Sequence, residues 1–436
     1  MPNEAGHFLT AIARPARFAS GVERALLKLE IWLVGPLRPD MRHNIRVEIG
    51  WAAAYGVFAT ALAFVPVVLR QLGAPAGWLA FYNSSTYFGS VASWAGLALF
   101  RPGQVKRRMT AVWLIGRGLL VLVALVSGYP GLLLLAAVFW LLEALPSPAY
   151  TAIVQRVYPV EDRGRVMSVA RVAMALPMLA LGPVAGWLLD SAGYRVLFPL
   201  AGLVGMLGAL IFSRLRVDET ALQVRGSSAP SGLRRLFAQD RRFALYLVGV
   251  LLFGLGSLIP VAIVPMVQVD RLRLSYTAIG WLNLSMAVSR TVSYIFWGRM
   301  SDRWGGVRCM QAAFAINILV LAPYAIATTQ GFGQAGGWIL LPSFIALGIA
   351  SSAIDLGFIT AIIQLAPPGR VSEYAAAQAA LIGARGVVGP FIGVGLMALG
   401  ISQTAIFVLG TVLSLLATLV LMQVHVPGGR EAELGA

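Results

Sequence analysis

Twelve apolar runs of about 18–25 residues govern what this chain can fold into, since at ~1.5 Å per residue a helix of that length crosses a ~30 Å hydrocarbon layer. They lie at 49–69, 78–100, 109–126, 132–154, 166–189 and 194–212, then at 243–267, 279–297, 307–327, 338–363, 375–399 and 405–424. The predicted fold class is therefore all-α and integral to a membrane. Composition agrees: 12% of the 436 residues are charged, about half the ~25% usual in soluble domains. A soluble globular fold, a disordered chain and a secreted disulfide scaffold are excluded. Cys309 is the single cysteine, and His7, His43 and His425 stand in terminal segments. Neither an internal disulfide nor an intramembrane metal cluster of His and Cys can be built, and no cofactor or metal is expected.

The formal net charge of +16 reads as a topology signal. With an even number of spans, both termini share one side. Most arginines fall on that side: Arg101, Arg107 and Arg108; Arg156, Arg163 and Arg165; those of the central stretch at 214–242; and Arg299, Arg303 and Arg308. The opposite loops carry Arg70, Arg195, Arg271 and Arg273. Lys and Arg accumulate on the cytoplasmic side, so both termini are expected in the cytoplasm, with the chain in a cell (inner) membrane. The basic balance calls for no nucleic-acid partner. No cleavable signal peptide is expected, because the first apolar stretch, 25–34, is interrupted by Lys28 and Glu30 and followed by Pro36 and Pro39. Its Leu26, Leu29 and Leu33 share one face and predict an interfacial helix on the cytoplasmic leaflet.

The spans divide six and six around a Gly/Ser/Pro-containing stretch at 226–232. This predicts an N-terminal arm (1–44), a first half (45–212), a linker (213–242), a second half (243–424) and a tail (425–436). The halves repeat. Gly77–Trp78–Leu79 returns as Gly280–Trp281–Leu282, and Ser90 and Trp94 return as Ser293 and Trp297. Thr151–Ala152–Ile153–Val154–Gln155 returns as Thr360–Ala361–Ile362–Ile363–Gln364. Gly182–Pro183–x–x–Gly186 returns as Gly389–Pro390–x–x–Gly393. The matches keep their order at an offset of about 200 residues, as in transporters built from two parallel halves with a site near the midplane.

At Gly298–Arg299–Met300–Ser301–Asp302–Arg303–Trp304–Gly305–Gly306–Val307–Arg308 the chain resembles the major facilitator superfamily, whose signature loop reads Gly-x-x-x-Asp-Arg-x-Gly-x-Arg. The resemblance runs from about Arg46 onward. It implies a cytoplasmic gating loop in which Gly298, Asp302, Arg303, Gly305 and Arg308 take part. Glycines permit the tight turn, and the aspartate can bind backbone N–H groups or arginines to hold one packing of the halves. The equivalent first-half loop departs from the pattern, with Leu99 where the offset predicts Asp. Pro159–Val160–Glu161–Asp162–Arg163–Gly164–Arg165 is a further point of resemblance. Gly182, Pro183 and Gly186 resemble the core of the family's antiporter motif, although Trp187 stands where a second glycine is usual. With Gly389, Pro390 and Gly393 they are candidates for helix bending, or else they ease close packing.

Ionisable groups deep in a bilayer are functional candidates. Glu143, near the middle of the fourth span, and Asp355, in the tenth behind Ser351 and Ser352, are candidates for proton coupling. No basic residue accompanies Glu143 in its own span, whereas Asp355 has a static ion pair with Arg290 or Arg385 as its competing reading. Arg290 and Arg385 are substrate-binding candidates, because guanidinium suits carboxylate and phosphate. In the superfamily the first, second, fourth and fifth helices of each half face the cavity, so the resemblance implies that these four groups point inward and that Arg117 is structural. Glu48 reads as interfacial. Asn83, Tyr87, Ser90 and Trp94 share a face of the polar second span; the offset maps it onto Met286, Arg290, Ser293 and Trp297, with Tyr294 adjacent. Gln378 is a further candidate. Met167, Met174 and Met178 share a face with Arg171, which is packing or an adaptable apolar site.

The expected function is secondary active transport by alternating access, with proton-coupled efflux of small amphipathic compounds as the leading reading. Uptake or exchange of an anionic metabolite is the alternative, resting on Arg290 and Arg385. A non-transporting membrane enzyme or sensor lacks any supporting constellation. The only lysines are Lys28 and Lys106, without Gly-x-x-x-x-Gly-Lys, so no nucleotide-hydrolysing engine is expected. Expected partners are a small-molecule substrate, protons or another coupling ion, and the lipid bilayer, with the chain a monomer.

Overall fold

The structure, a computed structural model, describes residues 41–100, 103–219, 240–329, 334–367 and 369–424. The expected interfacial helix at 25–34, most of the linker and the tail lie outside these residues, as do the side chains of Ser90 and Trp94. Every long element is helical. The first half comprises α1 (Arg42–Leu62), α2 (Val65–Gln71), α3 (Ala76–Leu99), α4 (Val105–Val121), α5 (Gly128–Ala144), α6 (Ser147–Val157), α7 (Val160–Ala192) and α8 (Tyr194–Phe212). The second comprises α9 (Arg241–Leu258), α10 (Tyr276–Trp304), α11 (Gly306–Thr329), α12 (Leu341–Leu365), α13 (Val371–Ala398) and α14 (Gln403–Met422). Ten spans among the described residues are long and apolar enough to cross a membrane. The remaining two long helices, α3 and α10, have 24 and 29 residues and pack among them.

Proline accounts for the departures from straight spans. The first span is α1 and α2 end to end, interrupted just before Pro66, and the fourth is α5 and α6, divided at Pro146. A proline lacks the N–H that would continue the ladder. The expected seventh span, 243–267, is regular only to Leu258 and then turns through Pro260 and Pro265. Its start is capped by Asp240, which accepts from Phe243 N at 3.0 Å. Residues 213–219 are held against the first half: Asn44 exchanges two 2.8 Å hydrogen bonds with the Arg216 backbone, and Lys106 Nζ donates to Leu215 O at 2.8 Å.

The halves share one packing scheme. Counting α1–α2 and α5–α6 each as one rod, the first rod of each half packs on the fifth and sixth, the second on the fourth, and the third on the fourth and sixth. Across the halves, the second rod of each meets the fifth rod of the other: α10 on α7, and α3 on α13. Glycine makes the α7–α10 contact possible. A Cβ at Gly186 would lie 2.3 Å from Tyr276 O, and one at Gly280 would lie 2.6 Å from Gly182 O. The Gly182–Pro183–Gly186 element therefore serves close approach between the halves. Gly393 does the same within the second half, where a Cβ would lie 1.8 Å from Ile259 O.

The α7–α10 contact lies on the face away from the linker, called here the far face. Gly280→Val is expected to wedge α7 from α10 there. In a Cys309→Ala background carrying Thr277→Cys, it should raise labelling by an impermeant maleimide about tenfold, as backbone approach through glycine is lost. Unchanged labelling would show that the contact does not hold the far face shut.

Candidate functional site

A cavity of about 430 Å³ lies between the halves. The first half contributes Ala63, Pro66 and Val67 from the first rod and Asn83 and Tyr87 from α3. The second half contributes apolar walls, Phe253, Val261, Leu321 and Phe344 among them, and the polar groups Ser257, Gln268, Asn283, Asn317, Tyr324 and Arg385. Of the expected binding residues, the structure therefore places Asn83, Tyr87 and Arg385 on the cavity. Arg385 is 8% exposed. It fits because residue 254 is glycine, where a Cβ would lie 2.2 Å from the guanidinium carbon. Arg385 Nη1 donates to Val250 O, and its Nε is buried with no hydrogen-bond partner. Gln378 is not on the cavity: it is buried and accepts from Tyr246 OH.

Arg290, Tyr294 and Asp355 come together as a trio. Arg290 Nη2 pairs with Asp355 Oδ2, and Tyr294 OH donates to the same oxygen at 2.6 Å. The side chains of the pair are 41% and 45% exposed although both residues sit mid-helix. On α10, Arg290 follows Asn283 and Met286 along the face that lines the cavity. The trio thus stands about one to two helical turns from the cavity lining, on the linker side of Asn283 and Met286. Trp297, mapped onto the same face by the repeat, is instead buried in the second half and donates to Ile349 O at 3.0 Å.

Glu143 is answered from a neighbouring helix. Arg117, 0% exposed, bonds it at 2.9 Å and also donates to Gly205 O at 2.9 Å. Four rings, those of Trp51, Tyr55, Phe58 and Trp113, lie 5.0 to 5.7 Å from the Arg117 guanidinium. Inspection of the Glu143 span alone could not find this pair, because its partner is 26 residues away. Glu48 corrects a sequence expectation. It is not interfacial but 1% exposed, accepting from Trp51 Nε1 at 2.6 Å and Tyr150 OH at 3.3 Å. Its Oε1 is buried and has no partner. On the Met face of α7, Met167 Sδ accepts from Tyr150 OH, and the Met174 backbone abuts Gly56.

The described hydrogen bonds between the halves lie midway or at the far face. Ser84 Oγ donates to Val387 O at 2.8 Å. Arg70 pairs with Asp270 at 2.6 Å. Asp190, near the end of α7, accepts from Tyr276 N, Thr277 N and Thr277 Oγ1 at 3.0, 2.8 and 2.6 Å, capping α10 from the other half. Arg70 and Asp270 stand 200 residues apart in sequence, a charge complementarity that the sequence holds but that loop-side counting overlooks. At the linker face, Asp302, Arg303 and Arg308 are exposed, and Asp302 is in none of the described ion pairs. The signature loop is instead fastened within its own half. Gly305 has φ +82° against the Gln364 side chain, and Gln364 Oε1 accepts from Val307 N at 3.3 Å. That glutamine belongs to the repeated Thr360–Gln364 element, whose use the sequence did not disclose.

A helical bundle of two like halves, with a cavity between them shut at one face, defines a membrane transporter. The chain belongs to the Major Facilitator Superfamily, whose sequence profile matches residues 47–336 and 245–434. Comparison with curated proteins gives no match. Among solved structures, a point mutant of the nucleoside transporter NupG superposes with TM-score 0.69 at 14% identity, over 88% of this chain and 99% of that one. A bacterial homologue of the iron transporter ferroportin, in its inward-facing state, gives 0.66 at 15% identity, over 89% and 99%. A bacterial homologue of the human lysosomal transporter Spinster, inward-facing and occupied, gives 0.63 at 13%, over 89% and 97%. These likenesses establish the shared fold.

The two ion pairs should differ in their effect on stability. Arg117→Met leaves Glu143 uncompensated and is expected to lose about 3–5 kcal/mol. Asp355→Asn at the exposed pair should change stability by no more than about 1 kcal/mol. Thermal unfolding of the purified variants in detergent measures both; equal losses would contradict the assignment of Arg117–Glu143 as structural.

Proposed function

We propose that the chain is a proton-coupled carrier of small amphipathic compounds that works by alternating access, with Asp355 as the coupling carboxylate. The observation that carries this reading is the Arg290–Tyr294–Asp355 trio: a mid-helix ion pair, half exposed, on two helices that also line the cavity. A proton on Asp355 removes the charge that holds Arg290, so protonation can release the guanidinium and change how α10 and α12 pack. Glu143, the other candidate, sits with its fully buried partner behind an aromatic wall, which favours Asp355.

The arginine excess supports the linker face as cytoplasmic, making this conformation inward-open in an inner membrane with both termini inside. Apolar walls interrupted by a few amides and hydroxyls suit an amphipathic solute. Export is the direction that the Gly182–Pro183–Gly186 element favours by resemblance. Uptake or exchange of an anionic solute is the second reading, favoured by Arg385 on the cavity wall. The proposed transporting unit is the monomer, with its cavity between the two halves of one chain.

In proteoliposomes, Asp355→Asn should lose proton-gradient-driven accumulation by at least about tenfold while keeping solute counterflow, because exchange needs no net proton movement. Glu143→Gln should keep gradient-driven accumulation. Normal accumulation in Asp355→Asn, with loss in Glu143→Gln, would move the coupling site to the first half.

A further inference from the structure

Among the described residues, three charged side chains are buried: Glu48, Arg117 and Arg385. Arg117 has its carboxylate, and the half-exposed Arg290 has one too. Arg385 has none. The hydroxyl-bearing side chains near it are Tyr87, on the facing half, and Tyr246. Its Nη1 is occupied by Val250 O, while its buried Nε has no acceptor. A guanidinium withdrawn from water without an opposite charge is strongly unfavourable, and this one is on the wall of the central cavity.

Resting on the transporter reading above, we propose that Arg385 is the anion anchor of the substrate site and that the substrate class is a small amphipathic carboxylate. A guanidinium on a cavity wall without a carboxylate partner can grip one through two parallel N–H···O bonds. Arg385 stands near the middle of α13, toward the linker face from Gln268 and Tyr324, which bond each other at 2.9 Å at the far end of the cavity. Between these ends lie Phe253, Val261, Leu321 and Phe344. The matching solute has a carboxylate at one end, an apolar body of one or two rings' size, and a hydroxyl or carbonyl at the other. Tyr87 lies over Gly386, where a Cβ would meet its ring at 2.2 Å. Substrate held at Arg385 therefore touches a side chain from each half, the arrangement that lets one ligand bias how the halves close.

The test uses three ring bodies (phenyl, 4-hydroxyphenyl and indolyl), each as the acetate, the acetamide and the ethylamine. Binding to the purified full chain is measured by thermal shift and calorimetry, and flux by counterflow. In the wild type, at least one acetate should bind about tenfold or more tighter than its amide and amine, the scale set by charge-assisted hydrogen bonds. Arg385→Gln should erase that preference. If Arg385→Gln does not fold, Arg385→Lys replaces it; this keeps the charge, loses the fork and should weaken the acetate about tenfold with the amide unchanged. Amines binding as tightly as acetates, no acetate binding in any series, or an acetate preference that survives at Arg385→Gln would each overturn the anchor. Acetate selectivity without counterflow would uphold the anchor and overturn the transporter reading; counterflow indifferent to Arg385 would do the reverse.

Discussion

A charge inside hydrocarbon must meet an opposite charge, water or a ligand, and that demand organises the interior of this protein. In the first half it is met by Arg117 and Glu143, sealed among aromatic rings and tied to the Gly205 carbonyl. That pair joins α4, α5 and α8 into one body. In the second half the demand is met by Arg290 and Asp355, half exposed and joined by Tyr294. The buried version braces a half, and the half-exposed version is the one proposed above to respond to a proton. Arg385 is left over and faces the cavity, which is why the substrate inference begins there.

Alternating access further requires that contacts between the halves be firm yet breakable. The far face is closed by backbone approach at Gly182, Gly186 and Gly280 and by two polar clasps, Arg70–Asp270 and Asp190 on the α10 N-terminus. These are exposed hydrogen bonds and dispersion contacts, individually modest, so that the closed face need not be permanently closed. Within each half the packing shares one scheme, as two like bodies require. At the linker face, Asp302 is exposed while Gln364 and Gly305 secure the signature loop to its own half.

Much of the fold was legible in the sequence. Span length and apolar continuity located the helices, and the ordered matches at a 200-residue offset revealed two halves. Prolines shifted boundaries, as at Pro66, Pro146 and Pro260, because they interrupt the hydrogen-bond ladder without making a span less apolar. The site was legible only in part. Asn83, Tyr87 and Arg385 do line the cavity, and Asp355, Arg290 and Tyr294 do meet. Glu48 and Glu143 were misjudged in surroundings, one through its place near a helix start and one through a search confined to its own helix. Gln268, Asn283, Asn317 and Tyr324 were missed, since an isolated amide or phenol in a span gives no sign of whether it faces a neighbour or a cavity.

The sequence by itself determined the solvent, the secondary structure and the duplication, because these follow from run length, composition and internal repetition, all local properties of the chain. It also determined which charged residues fall within the spans. Only the tertiary structure decided which charges neutralise one another, because a pair such as Arg117–Glu143 depends on which faces of separate helices are turned together. The same holds for the far-face closure, where glycines distant in sequence bring two backbones into contact, and for Arg385, whose lack of an acid could be recognised only once every neighbour was in place.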